Sequence, residues 1–134
     1  MKRILLLSIF ILSFANLTAQ ESKEDQIITA IELKADKIIL NNKTAYNYSR
    51  NGNDFLISNL DGKELIKGSI TSHGNGKFSS IITFITSGKK FSNEKIIGRQ
   101  EIIFALCENN VIKDNFEIDE AKLTMFFEKY NELK

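Results

Sequence analysis

Tyr48-Ser49-Arg50-Asn51-Gly52-Asn53-Asp54-Phe55-Leu56-Ile57-Ser58-Asn59-Leu60-Asp61-Gly62-Lys63-Glu64-Leu65-Ile66 is the run that decides the fold. Asn51-Gly52 sits between Tyr48 and Phe55-Leu56-Ile57, and Asp61-Gly62 sits between Leu60 and Leu65-Ile66. Both dipeptides are preferred two-residue hairpin turns, because glycine accepts the positive φ that a type I′ turn requires. Short β-favouring runs joined so tightly must be antiparallel neighbours, since a parallel pair needs a long crossover.

The same rhythm extends towards the N-terminus. Thr44–Ser49 predicts a strand with Tyr46 and Tyr48 on one face and Ala45 and Asn47 on the other. Asn41-Asn42-Lys43 supplies a tight turn, since asparagine tolerates positive φ, and joins that strand to Lys37–Leu40. Gln26–Lys34 is the candidate first strand. Ile27, Ile28 and Ile31 also fit a helical period, and so short an apolar run does not decide between the two.

Towards the C-terminus, His73-Gly74-Asn75-Gly76 separates Ser69–Thr71 from Lys77–Thr86. Within the latter, Phe78, Ile82 and Phe84 share one face while Ile81, Thr83 and Ile85 share the other. That pattern predicts a central strand partly covered on both sides. Ser87-Gly88-Lys89-Lys90 turns again before Phe91. Turn signals recurring every ~8–12 residues indicate an antiparallel meander.

The period then changes. Arg99–Glu108 places Ile102, Ile103, Leu106 and Cys107 at helical spacing, and Asn109-Asn110 can end the helix. Asp119 suits the N-cap of a second helix, Glu120–Glu132, whose Leu123, Phe126, Phe127 and Tyr130 form one apolar stripe. The expected fold is α+β: five to seven antiparallel strands followed by two C-terminal helices packed on the sheet. A curled, barrel-like sheet capped by a helix is an acceptable variant.

The first residues read as an address. Met1-Lys2-Arg3 is a basic start, Ile4–Leu12 an apolar core, and the stretch through Thr18-Ala19-Gln20 a polar end with a small residue before the cut. The apolar core is shorter than the ~18 residues a spanning helix needs. Residues 1–19 are therefore expected to be a cleaved signal peptide, with 20–134 a single exported α+β domain. No transmembrane segment is expected after cleavage. The only cysteine is Cys107, so no lipid-bearing cysteine follows the leader. The leader ending in Thr18-Ala19-Gln20, with a chain rich in Ile, Lys and Asn, resembles small exported proteins of Bacteroidota-type bacteria. That resemblance implies a periplasmic, outer-membrane-associated or secreted location, and carries no activity with it.

Composition narrows the chemistry. The 134 residues carry 18 Lys+Arg against 17 Asp+Glu, and losing the leader removes Lys2 and Arg3 but no acid. The remaining domain is slightly acidic, which argues against nucleic acid as a partner. One His and one Cys leave no multi-histidine metal site, no cysteine cluster and no internal disulfide framework. With 43% hydrophobic residues and a quarter charged, the chain is globular rather than disordered.

No catalytic motif stands out. His73, the only imidazole, lies in a glycine-rich turn and reads as an exposed turn residue rather than a held base. G-x-S-x-G and the phosphate-loop spacing are both absent. Asn51-Gly52-Asn53-Asp54 and Asn59–Glu64 lack the calcium-loop spacing and read as turns. Cys107 on an apolar helix face reads as core, with an intermolecular disulfide as its functional alternative. Lys89-Lys90 and Lys95, with Arg99 nearby, read as screened surface charge.

The remaining aromatic signal is Tyr46, Tyr48 and Phe55, which hairpin pairing can bring onto one face. Such residues stack on partners, and they equally form cross-strand core pairs. Tyr46, Tyr48, Phe55 and the turn residue His73 are the candidate partner surface. No cofactor, metal or catalytic residue is expected. The leading expectation is a non-enzymatic exported protein that binds an envelope or secreted protein through its sheet or a hairpin tip. The alternatives are a carrier of a small apolar ligand inside a curled sheet, and a small hydrolase using His73 or carboxylates.

Overall fold

The structure, a computed structural model, describes residues 25–133. The expected signal peptide, 1–19, lies outside the described residues. Seven strands follow in chain order: β1 (Ile31–Leu33), β2 (Lys37–Leu40), β3 (Lys43–Asn51), β4 (Asp54–Ser58), β5 (Glu64–Gly74), β6 (Lys77–Phe84) and β7 (Lys89–Phe91). Each pairs antiparallel with the next, giving one sheet in the order β1 to β7. The sheet is open rather than closed into a barrel, with β1 and β7 as its edges. Helices α1 (Arg99–Glu108) and α2 (Glu120–Tyr130) complete the α+β fold.

The turns show which local signals governed the chain. Asn41 and Asn42 have φ of 51° and 66°, and Asn75 and Gly76 have 55° and 73°, so both pairs make turns with two left-handed central residues. Asn51-Gly52 behaves differently from expectation. Asn51 pairs with Asp54, so the two turn residues are Gly52-Asn53, and only Gly52 is left-handed. That is glycine at the first central position, a type II′ arrangement. Asp61-Gly62 is no two-residue turn either. Asn59 Oδ1 accepts from the N–H groups of Asp61 and Lys63 at 3.0 and 2.9 Å, templating a wider loop in which Gly62 takes the positive φ.

Three packing details depart from simple alternation. A bulge opposite Ile38 and Ile39 inserts Ala45 as an extra residue, so Ala45 and Tyr46 are both buried instead of facing opposite ways. The separate runs Leu65-Ile66 and Ser69–Thr71 are one long strand, β5, passing through Gly68. A Cβ at Gly68 would collide with the Phe55 ring, which lies across that position. On β6, Ser80, Ile82 and Phe84 are buried but Ile81 is exposed, so the strand is covered on one face only. It is also second from the edge, not central.

The segment from Gln26 settles as neither full strand nor helix. Only Ile31–Leu33 pairs with β2, while Ile28 plugs into the core from extended chain. Two asparagines hold this stretch. Asn41 Oδ1 accepts from Thr29 and Ala30, and Asn110 Oδ1 accepts from Ile27.

Both helices start where their signals lie. Asp119 accepts from the Lys122 N–H at 3.1 Å, and Glu101 accepts from the Gly98 N–H at 2.9 Å. Asn110, with φ of 56°, follows the C-cap Asn109 and ends α1. Helix α2 stops at Tyr130, before the expected Glu132. Asn131 and Glu132 bond instead to the chain after β7: Asn131 Oδ1 accepts from Ser92 N–H, and Glu132 N–H donates to the Ser92 carbonyl.

The core lies between one sheet face and the helices. Ile102, Ile103, Leu106 and Cys107 of α1 and Leu123 and Phe126 of α2 meet Ile38, Leu40, Ile57, Ile66, Ile82 and Phe91 of the sheet. Phe91 stacks on Phe126 with ring centroids 5.1 Å apart, and Phe127 meets Phe84 edge-on at 5.4 Å. The other sheet face is left to solvent, as an antiparallel sheet allows.

Candidate interaction surfaces

The β5–β6 hairpin outruns its neighbours. The last main-chain bond from β4's side is Ile70 N–H to the Asn53 carbonyl, and β7 reaches only Ile82. From Thr71 to Ser79 the hairpin therefore stands alone as an arm with two unpaired edges, and Ser80 and Ile81 belong to its root. Thr71–Gly74 at about 3.4 Å per residue gives it a reach of roughly 14 Å before the turn. Every residue from Thr71 to Phe78 is exposed. Phe78 is 53% exposed on the arm and Ile81 39% at its root, on opposite faces of β6.

His73 belongs to this arm. A bulge between Ser72 and Gly74 offsets it, and His73 Nε2 shares a 2.6 Å hydrogen bond with Ser79 Oγ across the hairpin. Among the described residues no carboxylate partners the other ring nitrogen, and the pair lies in solvent without walls to hold a substrate. A base beside a hydroxyl is present. The third group that would orient them is not part of the arrangement.

The structure does not assemble Tyr46, Tyr48, Phe55 and His73 into one surface. Tyr46 and Phe55 are buried, and Tyr48 is half-buried against Phe55 with centroids 6.2 Å apart. These three share the helix-facing side of the sheet, while His73 stands at the arm tip. Burial raises the Tyr46 phenol well above its usual range, with the nearby Cys107 adding a smaller push. Burial alone pushes the Cys107 thiol up to about 12, which keeps it an unreactive core group at neutral pH.

Tyr46 nonetheless borders a second feature. Its hydroxyl donates to the Phe116 carbonyl at 2.6 Å, and Phe116 holds a φ of 70°. That conformation is costly for a bulky side chain and persists where surroundings impose it. Here the constraint is a small antiparallel turn, closed by Lys113 N–H to the Glu117 carbonyl at 2.9 Å. Between this turn and the Asn59–Lys63 loop opens a cleft of about 450 Å³, floored by Ala45, Leu65, Phe84 and Leu123.

Sequence reasoning missed Ser79, Phe78 and Phe116. Ser79 was recoverable: a two-residue turn at Asn75-Gly76 brings it opposite the end of β5. Phe78 looked like a core position because it alternates with Ile82 and Phe84, and only the shortness of β4 and β7 leaves it bare. Nothing local marked Phe116 as left-handed.

Among the described residues, no group of three or more His, Cys, Asp or Glu is placed to hold a metal. No described helix is long and apolar enough to cross a membrane. Comparison with family models, with curated proteins and with solved structures gave no match to this chain.

Proposed function

We propose that this chain is a non-enzymatic, exported binding protein that engages another protein of the envelope or secreted space through the β5–β6 arm. The arm is the observation that carries the reading. An exposed aromatic, an exposed isoleucine and two free strand edges are costly to leave in solvent. All are features that a partner strand or groove can take up. The leader supports export: a basic start, an apolar core and a small residue at Ala19.

Affinity capture with residues 20–134 tests the proposal, comparing the wild type with Phe78→Ser/Ile81→Ser. The expected result is a partner held by the wild type and lost with the double variant. Identical partners on both proteins would refute the arm as the contact. Export is checked separately by N-terminal sequencing of protein recovered from cells, which should begin at Gln20.

One observation favours a carrier as a second reading. The cleft beside Phe116 combines an apolar floor with a strained, tightly held rim, the kind of place where a small ligand is gripped. Native mass spectrometry of gently extracted protein would then show a retained mass, and Leu65→Glu would abolish it.

A further inference from the structure

At the root of the arm, on the helix side of the sheet, a second cleft of about 390 Å³ carries two arginines above an apolar floor. Leu33, Tyr48, Phe55 and Ile70 form the floor, and Arg50 and Arg99 stand on its walls. Arg99 is held in place: its guanidinium lies 3.9 Å from the centre of the Tyr48 ring, and Nη1 donates to the Lys34 carbonyl at 2.6 Å. Arg50 Nε donates to the Gly52 carbonyl at 2.9 Å. Each guanidinium thus keeps further N–H groups with no acceptor among the described residues. Among the described residues neither is within salt-bridge distance of a carboxylate.

An anchored guanidinium, Arg99, and a second, Arg50, tethered by one bond, line an apolar basin, and that is an unbalanced arrangement. Stacking on Tyr48 and the bond to Lys34 fix Arg99 before any ligand arrives, so less side-chain entropy is lost on binding. The fork geometry matches planar oxyanions, which it bonds through parallel N–H donors. Glu101, also on the cleft wall, is occupied as the cap of Gly98 and adds one negative charge. That charge penalises a dianion more than a monoanion. We propose that this cleft is a binding site for a carboxylate attached to an apolar body, with the carboxylate between Arg50 and Arg99 and the body over Ile70 and Phe55. Such a group occurs in a free aryl or alkyl acid, and in an acidic residue beside an apolar one in a polypeptide.

The test is titration of the folded 20–134 protein with phenylacetate, followed by NMR of the backbone amides and arginine side chains. The expected result is a saturable millimolar shift confined to Tyr48, Arg50, Ile70 and Arg99. The neutral isostere phenylacetamide should give no such shift, and acetate a much weaker one. Arg99→Gln and Arg50→Gln should each weaken phenylacetate about tenfold or more. Glu101→Gln, which still caps Gly98, should strengthen it a few-fold. A well-dispersed spectrum of each variant certifies its fold. An acetylated, amidated Phe-Asp-Phe peptide that outcompetes phenylacetate assigns the site to a polypeptide carboxylate, and a peptide that competes less well assigns it to a free acid. No saturable shift with phenylacetate, equal shifts with phenylacetamide, or binding unchanged in the Arg50→Gln/Arg99→Gln double variant would overturn the proposal.

Discussion

Strand β6 lives in two environments within eight residues. Its second half, Ile82 and Phe84, is sealed beneath α2 and beside β7, among Phe91, Phe126 and Phe127. Its first half, Lys77 and Phe78, runs out along the arm with one partner strand and no cover. Each half carries one phenylalanine, but the inner half adds Ile81, Ile82 and Thr83 where the outer half has Lys77 and two serines. The two phenylalanines also differ in their neighbours, so Phe84 serves stability while Phe78 stays exposed.

That contrast is tested hardest in the core. Phe126→Ala removes a buried ring stacked on Phe91 and should cost about 3–5 kcal/mol in denaturant unfolding. Gly68→Ala should cost about 1–3 kcal/mol, because the new methyl meets the Phe55 ring where β5 leaves the covered sheet. Alkali probes the same sealed interior. The native Cys107 thiol stays protonated until about 12, whereas the unfolded thiol ionises from about 9.0, so the folded state binds the extra proton between those values. Stability should therefore be fully present below pH 9 and fall as pH rises through that window, by up to about 1.4 kcal/mol per pH unit. Tyr46 shifts in the same direction and steepens the fall. In Cys107→Ala the thiol's share of that slope disappears. The smallest effect belongs to the arm: Phe78→Ala should change stability by no more than about 0.5 kcal/mol in the same unfolding measurement. A loss comparable to that of Phe126→Ala would place Phe78 in a packed core and end the contrast.

Much of this architecture was legible residue by residue. Asn41-Asn42 and Asp119 act where their side chains predict, and the helical period of Ile102, Ile103, Leu106 and Cys107 is buried as a unit. What escaped reading depends on relations between strands. Bulges at Ala45 and Leu65 shift the alternation, so inward and outward positions cannot be counted straight through β3 and β5. Whether Phe78 is core or surface turns on how far β4 and β7 extend, a tertiary fact with no local signature. The arginine cleft joins β3 to the first turn of α1, and only the packing of the helix on the sheet brings them together. Tyr46, Tyr48 and Phe55 were visible as a cluster. Their burial was settled by the helices above them.

The central claim, that the arm is where this protein meets a partner, is most directly tested by photo-crosslinking in the cell that makes it. A photoreactive residue at position 78 is compared with one at position 104, since Phe104 on α1 is exposed to a similar degree. The account predicts a discrete adduct from position 78 and none from position 104. Adducts from position 104 alone, or none from position 78, would contradict it.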